Sequence, residues 1–134
     1  MWTDNIESTV FSRVKVEGTV ALKKTFPKIT YTAENATSDE PLFPTVFVQE
    51  LPASEIGQNL DGSTINGVLS AFQIDVSDNQ ENGKQNCKTV MSKAIESMKS
   101  MRYEVTAMPI YRKENNVWVG TARFRRTIGF NDIL

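Results

Sequence analysis

The 134-residue chain contains no histidine. That removes the commonest general base and the commonest transition-metal ligand, and with them any Ser-His-Asp or Cys-His site within this chain. There is one cysteine, Cys87. It excludes an internal disulfide framework and fits a reducing compartment. No run approaches the ~18 apolar residues of a membrane span, so no membrane partner is expected. The first residues lack a basic-then-apolar leader, which gives no expectation of secretion. Walker, GxGxxG and CxxC motifs are missing as well. The expectation is a protein with no cofactor, no metal and no catalytic site.

Basic residues are missing locally. Residues 29–83 contain nine acids and no Lys or Arg. Residues 84–134 reverse the balance with ten bases and four acids, and residues 1–28 carry five bases and three acids. The formal net charge of −1 therefore hides a strong segregation. Nucleic-acid binders usually carry net basic charge, which this chain does not. Two outcomes are open. The blocks interleave on folding, or they form opposed patches by which one copy meets another.

What remains is an ordinary globular composition, 40% hydrophobic and 23% charged, of a length that predicts a single domain over 1–134. Ile6, Val10, Val14, Ala21, Leu22 and Phe26 recur near a 3.6 period with Gly18 among them, predicting a first helix capped at Thr3 or Asp4 and stopped by Pro27. Val16 and Val20 form a second apolar stripe, which requires deep burial or a second partner. Short strands are predicted at residues 29–32 and 45–49. Between the second and third strands, "LPASEIGQNLDGSTING" reads as a long irregular loop with isolated apolar Ile56, Leu60 and Ile65. Alternation marks 67–78 as a strand, with Phe72, Ile74 and Val76 on one side and Ala71, Gln73, Asp75 and Ser77 on the other. A helix follows over about 83–101, its apolar face made by Cys87, Val90, Met91, Ala94, Ile95, Met98 and Met101. Cys87 is thus a small core residue. "YEVTAMPIY" and "NVWVGTARFRRTIGF" read as a closing hairpin. The order α-β-β-β-α-β-β predicts an α+β fold: a single mixed or antiparallel sheet covered by two helices.

The last strand concentrates arginines. Alternation assigns Phe124 to the core side, Arg123 and Arg125 to the outer sheet face, and Arg126 to an exposed end reached by snorkelling. Asp75 lies on the outer face, either as a general base or in a cross-strand or inter-subunit ion pair with an arginine. A nucleic-acid-binding module would use Lys88, Lys99, Arg123 and Arg125 on phosphates and Tyr103, Tyr111 or Trp118 as stacking platforms. The acidic block weighs against it.

"KKTFPKIT", "TVFVQEL", "INGVLSAFQIDVSD" and "ARFRRTIGF", in that order, resemble the tail terminator family of long-tailed bacteriophages, also called tail completion or tail-to-head joining proteins. The resemblance covers most of the chain and is strongest at Asn66, at Phe72-Gln73-Ile74-Asp75-Val76 and at Arg123-Phe124-Arg125-Arg126. It implies a virion protein assembled in the host cytoplasm as a homo-hexameric ring. Such a ring caps the tail tube protein, stops tube growth and docks the head completion or connector protein. DNA passes its channel only as a passenger. The resemblance further implies an acidic channel lining, to which Glu50, Glu55 and Asp61 are assigned. Val16, Val20, Ile56, Leu60, Asp75, Arg123, Arg125 and Arg126 are the expected contacts to subunit, tail or head. Another head–tail connector component is the nearest alternative. Gly18 and the valine-rich run depart from the strong helix formers expected in the first helix.

Overall fold

A computed structural model describes residues 2–33, 42–56 and 66–134, the side chain of Ile56 excepted. A 3-10 turn at Trp2–Asn5 leads into α1, Ile6–Leu22. Then come β1 (Thr30–Thr32), β2 (Thr45–Ile56), β3 (Gly67–Asp78), α2 (Gly83–Ser100), β4 (Glu104–Glu114) and β5 (Val117–Gly129). The fold is α+β, in the order expected. The five strands form one mixed sheet, ordered β1-β2-β3-β5-β4, in which β1 runs parallel to β2 and every other pair is antiparallel.

Alternation decides which side of each strand leaves water. Val46, Val48, Phe72, Ile74, Val76, Ala122, Phe124 and Ile128 form the buried side. Against them pack Ile6, Val10, Val14 and Leu22 of α1, and Cys87, Val90, Met91, Ala94 and Met98 of α2. Both helices thus share one face of the sheet. Tyr103 seals one end of this core. Its ring meets Phe72 edge-on at 5.7 Å, and its hydroxyl lies 2.9 Å from Ser70 Oγ, so its polar end is satisfied where it is buried. Burial pushes the Cys87 thiol up to about 11, with the Asp78 carboxylate adding to the effect. Its Sγ is within 3.5 Å of the Val76 and Trp118 carbonyls, and the expectation of an inert core thiol holds.

Several boundaries differ from expectation for physical reasons. The first helix begins at Ile6 with Asn5 as its cap residue, makes no side-chain cap bond, and ends at Leu22, before Pro27. Ala21 faces solvent, because Leu22 and the following Phe26 already close the core at that end. Gly18 is the contact point between α1 and β1. A Cβ built there would lie 1.8 Å from the Tyr31 hydroxyl, so a glycine is what lets the ring approach. Residues from Leu51, expected to open an irregular loop, instead continue β2 to Ile56, and the rest of that expected loop up to residue 65 lies outside the described residues. The register of β2 shifts between Leu51 and Ser54, and this bulge absorbs Pro52, whose missing N–H suits a strand edge that β1 does not cover. The hairpin turn is only Asn115-Asn116, with φ 49° and 65°, the left-handed pair a tight two-residue turn needs.

Candidate functional site

No element among the described residues covers the second face of the sheet. Its centre is a polar chain laid across β3, β5 and β4. Register places Gln73 opposite Arg123 and Asp75 opposite Thr121. Arg123 Nε donates to Gln73 Oε1 at 3.0 Å. Gln73 Nε2 donates to the Asp75 carboxylate at 3.2 Å, and Thr121 Oγ1 donates to the same carboxylate at 2.6 Å. Arg112 Nη1 reaches Thr121 Oγ1 at 3.3 Å, while its Nε pairs with Glu114 at 2.7 Å. Arg125 pairs with Glu104, directly opposite on β4, at 2.6 Å. Within the chain, Asp75 thus bonds two neutral groups in place of a cross-strand arginine. Gln73 stands between Asp75 and Arg123, and Thr121 stands between Asp75 and Arg112.

Arg123 and Arg125 lie on the open face as expected. Arg126 does not lie at an exposed end. It is 8% exposed, and its Nη1 donates to the Met101 carbonyl at 3.0 Å. The reason is its neighbour in space rather than in sequence: the side shared with Phe124 is roofed by the last turn of α2, whose terminal carbonyls lack helical partners. Arg126 satisfies one of them and brings its positive charge to the negative end of the helix dipole. Its second partner, Asp132, is 3.9 Å from Nη2.

Val16 and Val20 are 61% and 82% exposed, which removes the deep-burial alternative for the second stripe of α1. On the helix side of β2, Glu50 faces Glu7 of α1. Burial first, and the Glu7 charge second, hold the Glu50 carboxyl above its usual range. Glu55 is exposed near the end of β2. Leu60, Ile65, Asp61 and the side chain of Ile56 lie outside the described residues. Between the helices, Arg13 Nε donates to the Glu17 carboxylate at 2.8 Å.

The aromatic side chains offered as stacking platforms are not beside the outer arginines. Tyr103 is buried, and Trp118 and Tyr111 sit on the helix side under Lys84 and Lys88, whose Nζ atoms lie 5.4 and 5.9 Å from the ring centroids. Sequence reasoning missed the bridging roles of Gln73, Thr121 and Glu104. The alternation that found Asp75 and Arg123 also puts Gln73 and Thr121 on that face, but pairing required the register, and Glu104 was given no face. Among the described residues no group of three or more acids or cysteines is placed to hold a metal ion, and no helix is long and apolar enough to cross a membrane. No protein-family model matches the chain, and no curated protein matches it.

Proposed function

We propose that the protein is a non-enzymatic structural connector of a long-tailed phage virion, a tail terminator. In this reading it forms a hexameric ring that caps the tail tube, halts tube growth and offers a docking surface to the head completion protein. The observation that carries the reading is the one-sided sheet: both helices cover one face, and the other carries an ordered arginine-rich polar lattice. A five-stranded sheet with one such uncovered face is well suited to meeting another protein. The exposed Val16 and Val20 supply a second, chemically different surface on α1. Two unlike surfaces on one subunit are what a cyclic assembly requires. DNA is a passenger of the assembly. Carboxylates interleave with the arginines on the open face, and the aromatic rings lie on the far side of the sheet, an arrangement unsuited to gripping a nucleic-acid strand.

The test is tail length in particles lacking the protein. Overlong tubes, or tails that never join heads, are expected. Normal free tails beside unstable, DNA-leaking heads would instead assign the chain to the head side of the junction. Duplex and single-stranded DNA titrated at low salt tests the remaining alternative, for which micromolar binding with a steep salt slope would be required.

A further inference from the structure

β4 begins at Glu104, opposite Arg125, so β5 runs past it and leaves a notch beside its last residues. The notch has a volume of about 450 Å³ and is lined by Arg102, Arg125, Arg126, Glu104 and Asp132 among others. Its cations are incompletely neutralised. The Arg102 guanidinium, on the left-handed residue that ends α2 (φ 67°), makes no hydrogen bond or ion pair among the described residues. Arg126 forms the buried floor, with its acid only at 3.9 Å. The Arg125–Glu104 pair is more than half exposed on both sides, so water screens it and a competing carboxylate displaces it at little cost. The opposite deficiency occurs elsewhere. Glu7 and Glu50 face each other across a cavity between α1 and the sheet, and neither has an ion pair among the described residues.

The register relates the two places. Glu50 pairs with Phe72, Phe72 with Phe124, and the next residue, Arg125, with Glu104. Notch and acidic pair therefore stand at nearly the same level along the strands. Arg125 and Glu104 come from the open face, whereas Arg126 and Glu50 both lie on the helix side, and among the described residues no ion pair joins Glu50 to Arg126 within one chain.

We propose that the Arg102–Arg125–Arg126 notch receives the Glu7 and Glu50 carboxylates of a second copy of this chain. This rests on the assembly reading above and names the partner surface within it. The contact joins two unlike surfaces, so it is heterologous. Charge complementarity of this kind sets orientation and partner choice.

Sedimentation velocity of the full chain, at roughly 20 mM and roughly 500 mM salt, tests it, since the Debye length shrinks severalfold between them. Self-association at low salt that dissolves at high salt is expected. Arg102→Glu and Glu50→Lys should each weaken it by about tenfold or more, the scale of ~1.4 kcal/mol in a charge-pair contact. An equimolar mixture of the two variants should restore association, because the swapped charges again meet opposite partners. Arg102→Ala and Glu7→Gln give the same comparison without charge reversal, and thermal melting verifies that each variant is folded. A wild-type chain that stays monomeric at low salt overturns the contact, and the tail-length test then judges the assembly reading independently. Wild-type assembly unchanged by either variant, or not restored by mixing, overturns the contact alone.

Discussion

The two faces of the sheet are made by the same strands and separated by one residue of register, yet they are held by different physics. On the helix side, Phe72, Ile74, Val76, Ala122 and Phe124 are entirely removed from water. On the open side, Gln73, Asp75, Thr121 and Arg123 form a chain of hydrogen bonds that water can reach. Burial of apolar area stabilises the first face in proportion to area. Exposed pairs on the second face contribute little each, because solvent screens them. The helix side should therefore govern stability, and the open side should govern encounters with other chains.

Neighbouring residues on opposite faces break or sharpen this contrast. Phe124→Ala should cost about 3–5 kcal/mol, as expected for emptying a large core site, whereas Arg123→Ala should change stability by less than about 0.5 kcal/mol. Urea denaturation of the two variants checks both. Equal losses would mean that the polar lattice is part of the folding core.

The adjacent arginines give the next largest contrast. Arg126→Met should cost about 2 kcal/mol through the lost charged hydrogen bond to the helix terminus, and Arg125→Met almost nothing. The measurement is again denaturant midpoint, supplemented by hydrogen exchange in the last turn of α2, which only the Arg126 variant should accelerate. Arg125→Glu, by contrast, should impair assembly while leaving the monomer cooperatively folded.

The smallest effect is electrostatic. Glu50 is held above its usual carboxylate range in the folded chain, so folding favours its protonated form. Its contribution is most favourable below the unfolded-state value and is lost as pH rises through the raised folded-state value. Glu50→Gln should therefore raise the melting temperature slightly at pH 7, by the equivalent of roughly a few tenths of a kcal/mol given its partial exposure. The gain should vanish near pH 4. A decrease at pH 7 would show that Glu50 has a stabilising partner.

Periodicity made the elements legible. Strand β3 and helix α2 were readable almost to the residue, because each keeps one strict period from end to end. β2 was read short because Pro52 normally ends a strand, and only the bulge, unpaired on its outer edge, lets the strand continue. Arg126 was misjudged because its charge argued for solvent while its alternation argued for the core. No local pattern reveals that a helix end with unpaired carbonyls lies above it. Asp75 and Arg123 were placed on the right face, but their partners depend on register.

By itself, the sequence determined the element order, the inward side of most strands, the burial of Cys87, and the outward presentation of Arg123 and Arg125. These follow from side-chain period and from the cost of hiding apolar area or exposing charge, which are local properties. Only the tertiary structure decided that both helices share one face, that Gln73 and Thr121 separate Asp75 from the arginines, and that one arginine of three is buried. Those outcomes depend on which strand lies next to which and at what offset. Strand order and offset are settled by packing the whole core at once, so no short stretch of chain encodes them.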